Sequence, residues 1–544
     1  MSSSETLPAA TDQALDYDAI VVGAGMSGMY QLIRLRQLGL RGRVFEAGTD
    51  VGGTWYWNRY PGARFDSESY SYGFSFDPEL LQEWSWSEHF APQPETLRYL
   101  NHVAEKYDLR RDIQFNSRVA SAHYADDWRG WTVTLEDGSR YRARYLITAI
   151  GVLSAPTLPR IAGIESFRGQ SWHTARWPKE KVDFTGQRVA VIGTGATGVQ
   201  TIQEVAKTAA HLTIFQRTPN WCAPLHNRPI TEDEQQRIKA SYPEIFRRCQ
   251  ETFSCFLHTP DPRGTFEVTP EEREAFYEEL YASPGFGIWV GNFRDMLTDP
   301  AANREISDFV ARKIRQRVKD PRLAEMLIPK NHGFGTRRLP LETRYYEVYN
   351  QDNVTLVDSR ATPIERITPT GIKTSEAEFE FDIIIYATGF DALTGAFDRI
   401  DIRGTDGQRL KETWSGGAQT FMGMLVEGFP NMLMLLGPHT ALGNIPRSIE
   451  YNVEWVSDLL RHMQEHGLTR VEARPEAVQA WTDHVKSCAA GLLTFEVDSW
   501  MTGVNRNVEG KQTRTIARYA GSAPAYRAWC DAVAAKGYQE LMLR

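Results

Sequence analysis

Two glycine-rich turns constrain this chain more than anything else in it. Gly23-Ala24-Gly25-Met26-Ser27-Gly28 and Gly193-Thr194-Gly195-Ala196-Thr197-Gly198 lie 170 residues apart in a chain of 544. Each follows an apolar strand pattern, Tyr17 to Val22 and Arg188 to Ile192. Each opens a segment of helical periodicity, running to Gly39 in the first case and to about Thr208 in the second. Second strands follow, Arg43 to Phe45 and Leu212 to Phe215. Glycines at this spacing let the backbone turn tightly beside a pyrophosphate, and the helix N-terminus supplies amide donors and the positive end of its dipole. Two dinucleotide sites are therefore expected.

The residues after each second strand tell the sites apart. Glu46, 23 residues beyond Gly23, can accept from ribose hydroxyls, whereas Arg217 stands 24 residues beyond Gly193 with Thr218 beside it. A carboxylate there would repel a 2′-phosphate, and a guanidinium with a hydroxyl would bind one. The second ligand is expected to be NADPH rather than NADH; the alternative is that Arg217 is a solvated charge and the preference is relaxed. An N-terminal fingerprint with a Glu acceptor, paired with an NADPH fingerprint later in one chain, suits FAD, and the two together imply hydride transfer between cofactors.

The fold class that follows is α/β, with two interleaved Rossmann-like dinucleotide-binding domains and a helical insertion. The expected layout is an FAD-binding part over 1–151, an NADPH-binding part over 152–222 and 331–386, a helical insertion over 223–330, and the rest of the FAD-binding part over 387–544. The strands read at Arg144 to Ile150 and Phe381 to Tyr386 end in small residues, where buried parallel strands release the chain towards the other domain. The charged, helix-forming runs Pro270 to Tyr281 and Ala301 to Lys319 carry the insertion. Residues 1 to 15 are polar and read as a frayed tail.

Composition excludes several function classes. A net charge of −8 with well-mixed signs disfavours nucleic acid. The longest apolar runs, such as Met432 to Leu436, are far short of the roughly 20 residues that span a bilayer. Glu5, Asp12, Asp16 and Asp18 stand where a secretion signal would be basic and then apolar, so a cytoplasmic location is expected. Five scattered cysteines make no disulfide framework, metal site or redox dithiol, which removes disulfide reduction from the candidate reactions. What stands out is aromatic content, with twelve aromatic residues among the 36 from Trp55 to Phe90.

Two segments beside the nucleotide turns narrow the function further. Gly52 to Asp66 fits (A/G)GxWxxxx(F/Y)P(G/M)xxxD through Gly53, Trp55, Tyr60, Pro61, Gly62 and Asp66. Phe167 to Pro178 fits FxGxxxHTxxWP through Phe167, Gly169, His173, Thr174, Trp177 and Pro178. With the two glycine turns in the same order, the chain resembles the single-component, FAD- and NADPH-dependent Baeyer–Villiger monooxygenases from about Tyr17 to its C-terminus. The resemblance implies that a ketone and O2 are converted to an ester or lactone, through a C4a-peroxyflavin and a Criegee intermediate stabilised by an arginine.

By the same resemblance that arginine is Arg338, in Phe334-Gly335-Thr336-Arg337-Arg338, with Asp66 holding it. Arg337 would point the other way in an extended segment and join Arg217 at the 2′-phosphate. Gly53, Thr54 and Trp55 would lie beside the flavin. His173, which makes no metal-ligand spacing with another histidine, would couple cofactor binding to domain movement, and Trp177 and Pro178 would stiffen the hinge. Trp500 would sit on a loop that closes over NADP and substrate, its alternative being an ordinary core aromatic. Gly437 to Asn444 would run beside the flavin and the ketone pocket, its small residues leaving room for a bulky substrate. A monomer or weak oligomer is expected. Two rival functions share the glycine turns: a flavin monooxygenase acting on nitrogen or sulfur, and a non-catalytic sensor of NADPH/FAD redox state. Neither has a use for the Asp66 and Arg338 pair.

Overall fold

Buried apolar strands organise two sheets. In the computed structural model, which describes residues 15–544, the last four residues of the strand Tyr17–Val22 are buried, as expected of a parallel strand covered on both faces. It pairs in parallel with Gly42–Phe45 on one side and Arg140–Thr148 on the other. Val119–Ala125 and Gly130–Leu135 extend the sheet in antiparallel fashion. Ile113–Gln114 adds an edge beside Gly42–Phe45, and the distant segments Asp401–Arg403 and Met432–Met434 complete the sheet, so both ends of the chain build it.

The second sheet is parallel throughout. Its order is Val354–Asp358, His211–Gln216, Arg188–Ile192, Ile383–Tyr386 and Gln170–His173. The chain crosses between the sheets twice, and the crossings lie together: Thr157 N donates to Gly389 O at 3.0 Å, Asp391 N to Ala155 O at 2.8 Å and Leu393 N to Val152 O at 2.8 Å.

Three features differ from the sequence reading. The stretch 223–330 is helical but does not belong to one unit: helix Glu232–Glu251, started by a Thr231/Glu234 capping box, packs on Ser69–Tyr72, Pro78–Glu83 and Ala523–Ala535 of the first unit. Pro270–Ala282 and Pro300–Arg317 instead share a core with the second sheet through Tyr277, Ile306, Phe309, Val189 and Leu212. A small antiparallel sheet, Ile364–Thr368, Gly371–Thr374 and Glu378–Glu380, precedes the last parallel strand; strands of three to five residues leave too little periodicity to read. The Phe167 to Pro178 segment, expected as a link, is in part the edge strand Gln170–His173. The tail up to residue 14 lies outside the described residues.

The two glycine turns are built alike. Gly23 and Gly193 take φ of +105° and +107°, and a Cβ on either would stand 2.6 Å from Ala149 O or 2.5 Å from Ala387 O. One helical turn on, a Cβ on Gly28 would lie 1.8 Å from Gly23 O, and one on Gly198 2.2 Å from Gly193 O. No flexible side chain is there to yield, so each helix lies against its turn only because these residues are glycine. Gly28→Ala and Gly198→Ala should each lose about 1–3 kcal/mol of stability or more. Thermal unfolding of the two variants checks this, with FAD retention impaired by the first and NADPH affinity by the second.

Candidate active site

Both turns open into one cleft of about 2180 Å3, lined by Gly23, Gly25 and Glu46 from the first unit and by Gly193, Gly195 and Arg217 from the second. Helices Met26–Gln37 and Ala196–Val205 begin at Gly25 and Gly195, and neither has a side-chain cap. Their first amides are thus free for phosphate oxygens. Glu46 is buried and accepts from Ala24 N at 2.8 Å and Gly48 N at 2.6 Å, which leaves carboxylate lone pairs for a ribose. Gly53, at φ +51°, packs against Gly25, and with Thr54 and Trp55 it forms the adjoining wall. These residues fit FAD at the first turn.

The charged centre joins the two units. Asp66, at the end of the aromatic motif, is 3% exposed, and its Oδ2 is in ion-pair contact with Arg338 Nη2. Its Oδ1 has no hydrogen-bond partner among the described residues. Burial pushes the Asp66 carboxyl above the usual carboxylate range, opposed by Arg338 and then Arg64. Arg338 also donates through Nη1 to Leu339 O at 3.1 Å and lies 5.6 Å from the Phe286 ring centre. With its side chain 30% exposed, the guanidinium is anchored on one side and open to the cleft on the other.

Arg337, next in sequence, diverges from Arg338. Its charge acts on that of Arg217, Arg506 lies near both, and Arg360 acts on Arg217. Withdrawal from water, first, and then the like charges of Arg506 and Arg360 lower the pKa of Arg217. Arg337 Nε is buried and has no hydrogen-bond partner among the described residues. Thr218 turns into the same wall, its carbonyl accepting from Thr194 Oγ1 at 3.0 Å. Four arginines converging with one carboxylate, Asp498, among them are matched by a dianionic phosphate. Sequence reasoning expected Arg217, Thr218 and Arg337 at a 2′-phosphate, and the fold places them on one wall of the cleft; Arg360 and Arg506 have no local signature and arrive through the fold.

The His173 ring is held at both nitrogens. Nδ1 accepts from Ala175 N at 3.0 Å, so Nε2 carries the proton shared with Gly389 O at 3.1 Å. Burial lowers its pKa to about 4, so the ring is neutral at pH 7. Phe167 packs against the far core of the second sheet, and a Cβ on Gly169 would lie 2.5 Å from Asp382 O. Trp177 is buried against Trp172 and Phe184, and the half-buried Pro178 follows it. Trp500 starts a short turn capped by Ser499 and borders the cleft, half-buried.

The aromatic run forms a wall and core: Phe65 stacks on Tyr72 at 4.2 Å, Trp55 meets both edge-on, and Trp86 and Trp84 pack behind. Tyr60 crosses to the second unit, donating to Gln200 Oε1 at 2.7 Å. The sequence reading missed the insertion's share of the cleft, Phe253, Phe256, His258, Phe286 and Trp289. Clustered aromatics between charged helices were the available signal. All five cysteines are free, no metal-binding cluster occurs among the described residues, and no helix there is long and apolar enough to cross a membrane.

Comparison with known proteins bears on this arrangement. Residues 20–254 match the family model of pyridine nucleotide-disulphide oxidoreductases. The 2-oxo-Δ3-4,5,5-trimethylcyclopentenylacetyl-CoA monooxygenase of Pseudomonas putida is 47% identical over 96% of this chain and 97% of its own. A Baeyer–Villiger monooxygenase of Pseudooceanicola batsensis is 41% identical over 97% and 96% of the two chains. The crystal structure of OTEMO in complex with FAD and NADP superposes with a TM-score of 0.94 at 46% identity, covering 98% of this chain and all of that one.

Two outcomes follow from the charges. Arg217→Ala should lower kcat/KM for NADPH about 10–100-fold, the worth of a hydrogen bond to a charged group, and should affect NADH far less, as steady-state kinetics with both would show. Because the Asp66 pKa is raised, its ion pair with Arg338 is present above that pKa and lost as pH falls through it. The acid limb of kcat/KM should therefore lie above the titration of an ordinary aspartate, and Asp66→Asn should remove that limb from the pH profile.

Proposed function

The chain belongs to the Baeyer–Villiger monooxygenases, FAD- and NADPH-dependent enzymes that convert ketones to esters or lactones with O2, and we propose that Arg338 and Asp66 carry that chemistry here. The observation behind the assignment is the Arg338 guanidinium, anchored on a buried carboxylate and open to a cleft that both nucleotide turns share. FAD, once reduced by NADPH, supplies the activation of O2 for attack on the ketone carbonyl. Arg338, a delocalised guanidinium, stabilises the negative charge that develops on the ketone oxygen. Asp66 orients it and restricts its rotamers, so the donor is already in place when the charge appears.

The remaining residues hold, cover and exclude. Arg217, Arg337, Arg360 and Arg506 bind the 2′-phosphate; Thr218 shapes the same wall. Phe286, Trp289 and the Trp55 to Tyr72 cluster keep water from the chamber, where the arginine's field is then less screened. Trp500 covers the cleft from its loop. His173, neutral and committed at both nitrogens, positions the crossing at Gly389 and moves no proton. Oxygenation of nitrogen or sulfur would present no comparable anion to Arg338. The same proposal has the enzyme acting in the cytoplasm as a monomer or weak oligomer.

Arg338→Ala should lower ester formation by at least about 10²–10³-fold, the scale of losing a preorganised donor. Reduction of bound FAD by NADPH should survive. Stopped-flow absorbance for the first half-reaction and product chromatography for the second separate the two; an Arg338→Ala enzyme that still forms ester would refute the role.

A further inference from the structure

Another arginine of the cleft, Arg518, has no side-chain hydrogen bond or ion pair among the described residues. The segment 516–519 runs beside 439–441: His439 N donates to Ala517 O at 3.0 Å, Tyr519 N to Thr440 O at 3.4 Å, and His439 Nε2 bonds Ile516 O at 2.8 Å. In this extended pairing alternate side chains face opposite ways. Tyr519 turns inward and stacks on Trp481 with ring centres 5.4 Å apart, while Arg518 lines the cleft. Its Nε is buried and unbonded, and its guanidinium carbon stands 5.5 Å from the Phe495 ring centre. Burial lowers its pKa to about 10, and no acid opposes that shift.

Among the described residues the other arginines around the cleft are accounted for. Arg338 has Asp66, Arg64 has Glu88, Arg118 has Glu136, Arg160 has Glu509, Arg294 has Glu267 and Arg514 has Asp498. Arg176 and Arg399 donate to backbone carbonyls, and Arg217, Arg337, Arg360 and Arg506 form the phosphate cluster. Only an aromatic face meets Arg518. Arg518 is half-buried; a partly desolvated guanidinium without a counter-charge is costly, and the cost is offset when an anion enters with the ligand. Leu436, Leu442, Ile449 and Met501 line the same cleft, and such apolar surface suits a hydrocarbon ring.

We propose that Arg518 is a specificity-determining residue that receives an anionic substituent of the ketone, so that the substrate class is cyclic ketones bearing a carboxylate. The planar fork of the guanidinium matches a carboxylate in two parallel hydrogen bonds, and the Phe495 face keeps the fork in one plane. This inference rests on the reading of the cleft as a ketone-oxygenating chamber.

Binding and turnover test it separately. Dissociation constants of 4-oxocyclohexanecarboxylate, its methyl ester and 4-oxocyclohexyl phosphate are measured on the FAD- and NADP-loaded enzyme by flavin difference absorbance, for the wild type, Arg518→Met and Arg518→Lys. The wild type should bind the acid more tightly than its ester. Arg518→Met should reduce that preference about 10–100-fold, and Arg518→Lys should restore part of it. The phosphate ester should gain less than the acid; if it gains more, the carboxylate assignment is overturned. No acid preference in the wild type, or equal losses for acid and ester in Arg518→Met, overturns the proposal, as does an altered NADPH affinity without a change in the acid-to-ester ratio. Lactone formation is followed in parallel: binding preference with no lactone from any ketone would refute the oxygenation reading while leaving the assignment of Arg518 intact.

Discussion

The ion pair between Asp66 and Arg338 is the contact on which the site depends, because each partner comes from a different nucleotide-binding unit. Asp66 ends a motif fixed by aromatic packing in the first unit, and Arg338 leaves a loop whose neighbours, Phe334 and Leu339, belong to the core of the second. A carboxylate this buried is destabilised unless a cation faces it, so the two units are most stable in the arrangement that brings the guanidinium to it. The same arrangement leaves the other side of Arg338 open to the cleft. Docking of the units and placement of the charge are thus one event.

Other contacts hold the same relation from the opposite side. The two chain crossings pair with each other between Thr157 and Gly389, and His173 adds a bond to the Gly389 carbonyl. From there the loop carrying Trp500 is tied down: Asn505 donates to Phe390 O at 2.9 Å, and Lys511 bridges Asp391 at 2.7 Å and Asp398 at 2.9 Å. Edge strand, crossing and loop therefore form a continuous set of hydrogen bonds and ion pairs. A displacement of the second unit would strain the loop over the cleft through these few groups, which is a physical route for coupling nucleotide occupancy to closure.

Much of the fold was legible because it depends on local rules. A strand, a turn that only glycine can make, a helix and a terminal Glu or Arg are contiguous in sequence, and so are the fixed positions of the two longer motifs. The roles proposed for Arg338 and Asp66 were accessible only through resemblance, since nothing local joins residues 272 apart in sequence. The division of the insertion between two cores could not be read, because helix Glu232–Glu251 carries an amphipathic face without any indication of which surface will cover it. Short strands such as Glu378–Glu380 were lost for the opposite reason, having too few residues for a period.

The sequence alone determined the two nucleotide turns, the preference for a 2′-phosphate at the second and the aromatic investment beside the first, since each depends on residues within a few positions of one another. Tertiary structure decided which charges are neutralised. Arg338 acquires a buried carboxylate, Arg360 and Arg506 join Arg217 and Arg337, and Arg518 is left with an aromatic face alone. Arginine side chains are alike in sequence; their function follows from desolvation and from the partners that the fold places within reach, and both are set by long-range packing.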